Sequence, residues 1–439
     1  MHHQFQFIKF FIFIVIVNYY LNIKLKQNMP YPRSLTNYLN RVSNVSKNTI
    51  KLTPYRTNNV KNGDILVLDL PANAMVHLDS LCLSFKASTS TSAGYATFPR
   101  HIESLISKLN WELNGVSIAS CNHLSDLYNI MYNLSMGSDL ENKRKLYQNA
   151  VEQSANPTSN VTSQPFQVHN WLGFGGSVQG RVLDLGILGS CRLHITLEGT
   201  NVLVKDAAST GESYTLDDIF FTIDSISVDD GVLYPAKANY LQSGGIIEMP
   251  FDTYFSSLFG CSSYTQSSRF SVSTQSLDYI LACFPKNRTI SQFSSNNHTS
   301  AYFEYPSHDA SDRTNNTLVD WSFSVNNVQV PQFKVPKDHT FALLQNVMGI
   351  SQSVDGGICS SISDSQTWND GYWVAGVRLD LLTDEDERMI SGLSTSGTNA
   401  SIEFNSSGIG SFNPGNVLLF VKTTSTLRVG AGRSLEIVQ

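Results

Sequence analysis

Hydrophobic and polar residues alternate with a period of two over several short stretches of this chain. Residues 192–198, 220–228 and 416–422 are the clearest examples. A period of two places successive side chains on opposite faces of a strand, so each stretch is typical of a half-buried β-strand. Residues 64–70 form a short apolar run that ends at a proline, and residues 76–85 alternate with one slip in phase, which predicts a bulge.

Helical patterns are few and short. They predict helices at 102–109, 123–134 and 339–348. Long polar loops are predicted at 89–94, 152–164 and 294–316. Because strands and helices do not alternate, the pattern favours an antiparallel all-β fold.

One hairpin pattern occurs twice, about 210 residues apart. Each copy has a tryptophan, Trp111 or Trp321, in a strand that ends at a two-residue turn, and a second strand and a short helix follow. The turn residues are Asn114, Gly115, Asn326 and Asn327. Asn and Gly accept the positive φ that such a turn demands. A repeat at this distance predicts two β-sandwich domains in tandem.

Composition excludes several classes of protein. The chain has 439 residues, of which 41% are hydrophobic and only 15% charged, and its net charge is −6. These values argue against a disordered chain, a coiled coil and a wholly basic nucleic-acid binder. The six cysteines have no zinc-site spacing and lie mostly among apolar neighbours, which predicts reduced core thiols and a reducing compartment.

The N-terminal region differs from the rest of the chain. Residues 5–17 are apolar but too few to span a bilayer as a helix, and no small-residue cleavage site follows. We expect residues 1–28 to lie outside the fold, with a signal or anchor segment as the alternative. No acidic residue precedes Asp64, while basic residues continue to Lys61, so a basic arm is attached to an acidic body. The arm is either solvated or in contact with a polyanion, through the candidate residues Arg33, Arg41, Lys47 and Lys51.

Motifs that carry chemistry are missing from the sequence. The glycines at 173–176 lack the spacing and strand–helix context of a dinucleotide site, so we predict a flexible loop there. The acidic runs at 384–387 and 229–231 lack calcium-loop spacing and are predicted to be solvated turns. We assign no catalytic residue, no cofactor and no metal.

In their order along both halves, these residues resemble the double jelly-roll major capsid proteins of tailless icosahedral DNA viruses. That group includes adenovirus hexon and the capsid proteins of virophages, polinton-like viruses and large eukaryotic DNA viruses. The matching features run from about residue 50 to the C-terminus, and they include the two hairpins and three further positions, Pro331, Gly376 and Gly392. Asn327 departs from the family, which more commonly has glycine there, and residues 1–28 are not accounted for by the resemblance.

The resemblance implies an all-β fold of two tandem eight-stranded antiparallel jelly rolls with a few short helices in the loops. The expected boundaries are 29–48 for the basic arm, 49–235 for the first jelly roll, 236–246 for a linker and 247–439 for the second jelly roll.

The resemblance also implies a structural, non-enzymatic role as a major capsid protein. The chain would form a homotrimer with a pseudo-hexagonal outline, and such trimers would tile an icosahedral virion shell around a DNA genome. Further partners would be minor capsid and penton proteins, and the basic arm would face the genome or an internal membrane. The protein would be made in the host cytoplasm or a viral factory. Alternatives are a secreted or membrane-anchored β-sandwich binding protein, such as an adhesin or lectin, and an all-β hydrolase.

Overall fold

A computed structural model describes most of the chain. The described residues are 46–135, 144, 146, 157–178, 182–206, 208–227, 239–286, 301–309, 311–348, 362, 364–380, 392–396 and 401–439. The candidate residues Arg33 and Arg41, the cysteine Cys359 and the acidic runs at 229–231 and 384–387 lie outside them. None of the helices in the described ranges has the length and apolar character needed to cross a membrane.

The first half of the chain forms two facing antiparallel sheets. One has the order β1-β12-β4-β8, with β2 paired to β12 and β9 to β4, and the other has the order β3-β10-β6-β7. β5 and β11 pair separately. The strands are β1 Ser46–Leu52, β2 Val60–Lys61, β3 Ile65–Asp69, β4 Met75–Ser90, β5 Ala96–Thr97, β6 Ile106–Leu113, β7 Val116–Cys121, β8 Gln164–Val168, β9 Val182–Asp184, β10 Cys191–Leu197, β11 Val204–Lys205 and β12 Ser213–Ser227.

The second half repeats this arrangement. One sheet has the order β13-β21-β15-β19, with β22 paired to β21, and the other has the order β14-β20-β17-β16, with β18 paired to β17. The strands are β13 Ile247–Cys261, β14 Gln266–Ser271, β15 Leu277–Cys283, β16 His308–Asp309, β17 Asp312–Val325, β18 Val328–Pro336, β19 Ala375–Arg378, β20 Ser401–Ile409, β21 Gly415–Val429 and β22 Leu435–Val438.

Eight strands of each half correspond in chain order and in sheet position. The pairs are β1 with β13, β3 with β14, β4 with β15, β6 with β17, β7 with β18, β8 with β19, β10 with β20 and β12 with β21. Each set alternates between its two sheets along the chain, except at the hairpin β6–β7 or β17–β18, whose two strands share one sheet, as in a jelly roll. The prediction of two tandem antiparallel jelly rolls is therefore confirmed.

Short helices lie in the connections. The α-helices are α1 Leu124–Ser135, α2 Phe174–Ser177, α3 Leu185–Leu188, α4 Thr340–Met348 and α5 Ser365–Gly371. The 3₁₀ turns are Ile102–Leu105, Thr200–Val202, Ala301–Phe303, Lys337–His339 and Ala431–Arg433. The helices predicted at 123–134 and 339–348 are confirmed as α1 and α4.

Three local predictions were wrong. The helix predicted at 102–109 is a single 3₁₀ turn that leads into β6. The glycines at 173–176 lie next to and within the turn α2, in which Phe174 and Gly175 are buried and a Cβ on Gly175 would come 2.7 Å from Cζ2 of Trp111. Close packing against an indole, and not flexibility, requires that glycine. The polar region at 294–316 contains β16 and the beginning of β17.

The core of each jelly roll lies between its two sheets. Trp111 of β6 and Trp321 of β17 are almost fully buried at corresponding positions. Along β4 the phase of burial changes at Asp79 and Ser80, where the sequence slips. All five cysteines in the described part of the chain are free thiols, and only Cys261 is not buried, as expected for core thiols.

Candidate assembly surface

Both hairpins of the repeat are fastened to a neighbouring strand by the first turn asparagine. The backbone N–H of Asn114 donates to the carbonyl of Ser190 at 2.9 Å, and the N–H of Ser190 donates to Oδ1 of Asn114 at 3.0 Å. In the second jelly roll Asn326 makes the same two bonds with Ser401, at 2.9 and 3.2 Å. In each half, the turn asparagine therefore adds one side-chain bond to a backbone bond between the hairpin and the neighbouring strand.

Turn geometry at both hairpins agrees with the sequence prediction. Asn114 and Gly115 have φ of 48° and 80°, and Asn326 and Asn327 have φ of 52° and 66°. These values lie in the left-handed region that the two-residue turn requires. Ser190 and Ser401, which these asparagines bind, lie 75 residues or more away in the sequence, so no local pattern predicted the bonds.

The remaining family-like positions lie in or beside strands of the second jelly roll. Pro331 is part of β18. Gly376 of β19 lies under α4, where a Cβ would come 2.9 Å from Cδ1 of Leu344. Gly392 donates its N–H to Oγ of Ser276 at 3.0 Å, close to the buried carboxyl group of Asp278. Burial raises the pKa of Asp278, although two hydroxyl groups donate to its carboxyl oxygens.

Two of the candidate arm residues, Lys47 and Lys51, lie in the described part of the chain. Lys47 and Lys51 belong to β1, and Nζ of Lys51 lies 4.3 Å from the centre of the Phe220 ring. Arg56 forms an ion pair with Asp64 at 2.7 Å. Lys61 belongs to β2. Residues 48–61 therefore contact the sheets of the first jelly roll.

Both jelly rolls belong to one compact unit, residues 48–225 with 239–439. Contacts between them form a surface that we call the seam: β7, α1 and α2 of the first jelly roll face β13, α4 and Tyr305 of the second. The remaining unit comprises residues 1–47 and 226–238, and the described part of it is only the first two residues of β1 and the last two of β12.

Polar and aromatic contacts fix the seam. The Tyr305 hydroxyl donates to Oδ1 of Asp126 at 2.9 Å in a buried position. The Ser256 hydroxyl donates to the carbonyl of Asn122 at 3.0 Å. The rings of Phe174 and Phe251 meet edge to face with their centres 5.1 Å apart. Contacts of this kind require one geometry, so they hold the two jelly rolls in a fixed relation.

A buried ion pair supports α1 from the side of the first jelly roll. Nη2 of Arg144 lies 2.5 Å from Oε2 of Glu103, and both side chains are almost fully buried. The guanidinium of Arg144 also stacks on the ring of Tyr132 at 4.0 Å. Nε2 of His101 lies 2.9 Å from Oδ1 of Asn133, and burial holds the pKa of His101 well below its usual range. No sequence pattern connects these residues, because they meet only when α1 folds onto the sheet.

A cavity of about 440 Å³ opens beside α1. Its lining includes Asp79, Tyr128, His169 and Trp171. Sγ of Cys82 lies 3.7 Å from Nε2 of His169. Burial raises the pKa of Cys82 and lowers that of His169, so both groups are neutral near pH 7. A nucleophilic cysteine requires the opposite shift, and this arrangement does not favour thiol chemistry.

β18, the counterpart of β7, lies at an edge of its sheet in the second jelly roll, and most of its side chains are exposed. β18 pairs with β17 and with no other strand of the described residues. Val328 is 62% exposed and Phe333 is 56% exposed. On α4, only Thr340, Leu344 and Val347 are buried among the residues whose side chains are described. Exposed apolar side chains can mark a surface for association, but the register shift, Pro331 and Lys334 in β18 oppose pairing with another strand.

Comparisons with known proteins agree on the fold. No protein-family model matches the chain, and no curated protein sequence matches it. Solved structures of viral capsid proteins match over most of its length, and three of them are compared here. The crystal structure of PBCV-1 VP54, fitted into a reconstruction of the virophage Sputnik, is 12% identical, with 90% of this chain and 97% of that chain covered and a TM-score of 0.58.

A quasi-atomic model of the PBCV-1 virus capsid is 13% identical, with 90% of this chain and 97% of that chain covered and a TM-score of 0.59. The Faustovirus major capsid protein is 9% identical, with 87% and 90% covered and a TM-score of 0.55. At such identities the likeness concerns the fold. The chain has the double jelly-roll fold of these viral structures, as the resemblance in sequence implied.

Proposed function

We propose that this chain is the major capsid protein of a DNA virus and that its role is structural, without catalysis. The observation that carries the proposal is the pair of topologically equivalent jelly rolls, joined by a buried seam in one compact unit. The likeness in fold to the PBCV-1 and Faustovirus structures supports it. The protein would be made in the host cytoplasm or a viral factory and reside in the virion shell.

Three chains would form a homotrimer with six jelly rolls and a pseudo-hexagonal outline. Such trimers would tile an icosahedral shell and contact minor capsid and penton proteins. Low charge density supports this role, because like charges repeated by symmetry repel one another. We place the domain boundaries at 49–235 and 247–439, with residues 236–246 as the linker.

Light scattering on the purified full-length chain tests this function. We expect a stable species of three chain masses with a hexagonal outline in negative-stain images. A species of one chain mass at every concentration would contradict the proposal, and a secreted β-sandwich binder would then become the leading interpretation.

The basic arm at residues 29–48 is proposed to face inward, toward the genome or an internal membrane. The absence of acidic residues before Asp64 supports this placement. Replacing Arg33 and Arg41 with Gln leaves β1 intact and removes two positive charges. We expect normal trimers and particles with less packaged DNA or membrane. Particles with wild-type contents would contradict the placement.

A further inference from the structure

We propose that the cavity beside α1 binds an ammonium group carried on an apolar chain, and that this group pairs with the carboxylate of Asp79. The site goes beyond the proposed capsid function, because the described residues that line it belong to a single jelly roll of one chain. The size of the cavity, its lining and the charges around it support the proposal.

The cavity is large enough for a small molecule or a long side chain. Its volume of about 440 Å³ lies within the range of ~300–1,000 Å³ that is common for ligand sites in proteins. Three parts of the first jelly roll enclose it: α1, strand β4 at Asp79, and residues 169–176, which follow β8. One folded domain therefore supplies the described walls.

Most of the wall is apolar. Met131 and Leu172 contribute aliphatic groups, and Tyr128, Tyr132 and Trp171 contribute aromatic rings. A wall of this kind favours the burial of a hydrocarbon chain and gives a polar ligand nothing in return for its lost hydration.

Protein hydrogen bonds hold two of these rings in place. The Tyr128 hydroxyl donates to the carbonyl of Asn170 at 3.0 Å, and the indole N–H of Trp171 donates to the carbonyl of Leu81 at 2.7 Å. Because the rings are fixed before a ligand arrives, little conformational entropy is lost on binding.

Two glycines keep one wall of the cavity free of side chains. Gly175 and Gly176 both line it. A Cβ on Gly176 would overlap the carbonyl oxygen of Trp171, and a Cβ on Gly175 would meet the indole of Trp111. Close packing behind the glycines thus requires bare backbone here, and a ligand can approach that backbone closely.

Charge selects the kind of ligand. Among the described residues that line the cavity, Asp79 is acidic and none is lysine or arginine. His169 is neutral near pH 7, because burial lowers its pKa. The guanidinium of Arg144 stacks on the Tyr132 ring, but its charge is paired with Glu103. A carboxylate among apolar walls attracts a cation and repels an anion, so an ammonium group on an apolar chain matches both features.

Neutral acceptors in the lining complete the match. Asn170 and Ser135 line the cavity, and both are exposed. The Ser135 hydroxyl donates to the carbonyl of Met131 at 2.6 Å, so its oxygen keeps lone pairs that can accept. The lining thus offers a carboxylate and neutral oxygen acceptors to an ammonium group, which carries three N–H donors.

Calorimetric titration of the full-length chain with hexylammonium, hexan-1-ol and hexanoate tests the site. The three compounds have the same chain length and differ in charge. We expect hexylammonium to bind with a dissociation constant on the order of 1 mM, hexan-1-ol to bind about 10-fold more weakly, and hexanoate not to bind measurably. Hexan-1-ol or hexanoate binding as tightly as hexylammonium would overturn the proposal.

Asp79→Asn tests the carboxylate and keeps the shape of the side chain. We expect this variant to bind hexylammonium about 10-fold more weakly than the wild type and hexan-1-ol equally well. Asp218→Asn is the matched control, because Asp218 is exposed and pairs with Lys86 at 2.7 Å, away from the cavity lining. Equal affinities of the two variants for hexylammonium would overturn the proposal.

Ser135→Trp tests the location without changing Asp79. An indole at this exposed lining position fills part of the cavity, so we expect the loss of both hexylammonium and hexan-1-ol binding. Ser90→Trp, at the exposed far end of β4, is the control and should bind both. Circular dichroism checks that all variants fold. Wild-type affinity in Ser135→Trp would show that the amine binds elsewhere and would overturn the proposal.

A further titration distinguishes two sources of the ammonium group. N-acetyl-lysine methylamide presents the same group on a lysine side chain. Tighter binding of hexylammonium assigns the cavity to a free amine, and tighter binding of the lysine derivative assigns it to a lysine of another protein. If neither compound binds, the proposal is overturned, whereas the capsid function is unaffected.

Discussion

The helices α1 and α4 occupy corresponding places in the two jelly rolls, after the second strand of each hairpin, but their surroundings differ. α1 is covered on both sides and carries buried polar side chains, including Asp126 and Asn133. α4 packs on β19 and meets Trp368 of α5 through Phe341, and fewer of its described residues are fully buried. The difference shows that the burial of a helix in this fold depends on the elements that pack on it as much as on its own sequence.

The largest expected effect comes from the two hairpin tryptophans, which test how alike the jelly rolls are inside. Trp111→Ala and Trp321→Ala each remove an almost fully buried indole. We expect each to lower the free energy of unfolding by about 3–5 kcal/mol, because a cavity remains after truncation. Chemical denaturation of the purified variants measures this loss. A loss below ~1 kcal/mol in either jelly roll would contradict the assignment of that tryptophan to a packed core.

The next effect concerns the seam itself. Tyr305→Phe removes the hydroxyl that donates to Asp126 and leaves a buried carboxyl group with one donor fewer. We expect a loss of about 1–3 kcal/mol in the free energy of unfolding.

Tyr264→Phe is the control for that variant. Its hydroxyl donates at 3.0 Å to the carbonyl of Pro306 within the second jelly roll. The loss there should be smaller, near ~1 kcal/mol, because the acceptor is a neutral backbone group. Equal losses of unfolding free energy would mean that the hydrogen bond across the seam stabilises the protein no more than one within a jelly roll.

Acid sensitivity should differ between the jelly rolls. His101 and His308 both precede the tryptophan strand of their half, and burial lowers the pKa of each. In the second jelly roll Asp370 opposes the shift, since it lies 2.5 Å from Nε2 of His308. A histidine whose pKa is lowered in the folded state is protonated at a lower pH in the folded protein than in the unfolded chain. Its stabilising contribution is therefore complete above the unfolded pKa of about 6.5 and is lost as the pH falls toward the folded value.

We expect His101→Gln to reduce the loss of stability between pH 6.5 and 5 more than His308→Gln does. Thermal unfolding across that range measures the slope for both variants. The same slope for His101→Gln and for the wild type would show that another group controls the acid response.

Local patterns predicted the hairpins, most strands and two helices, because turn residues and alternation act over a few residues. They failed at 102–109, where apolar residues at 102, 105, 106 and 109 imitate a helical face. The true cause is a register shift opposite residues 196 and 197, which disturbs the alternation of β6. Contacts between distant residues had no local signal. The pair of Glu103 and Arg144 and the seam contact of Asp126 arise only from the tertiary fold.

The smallest effects lie in the two turns, which differ although their backbones agree. The Asn114 side chain also donates to the carbonyl of Leu188 at 2.7 Å, a bond beyond those of Asn326. Substitution by glycine keeps the positive φ without strain and removes only the side-chain bonds. We expect Asn114→Gly to lower the free energy of unfolding by about 1–2 kcal/mol and Asn326→Gly by about 1 kcal/mol.

Asn327→Gly is the control, because it should relieve strain at φ 66° and stabilise the protein by a few tenths of a kcal/mol, roughly. If all three variants lost the same stability, backbone freedom in the unfolded chain, and not the bonds to Ser190 and Ser401, would set the strength of these turns.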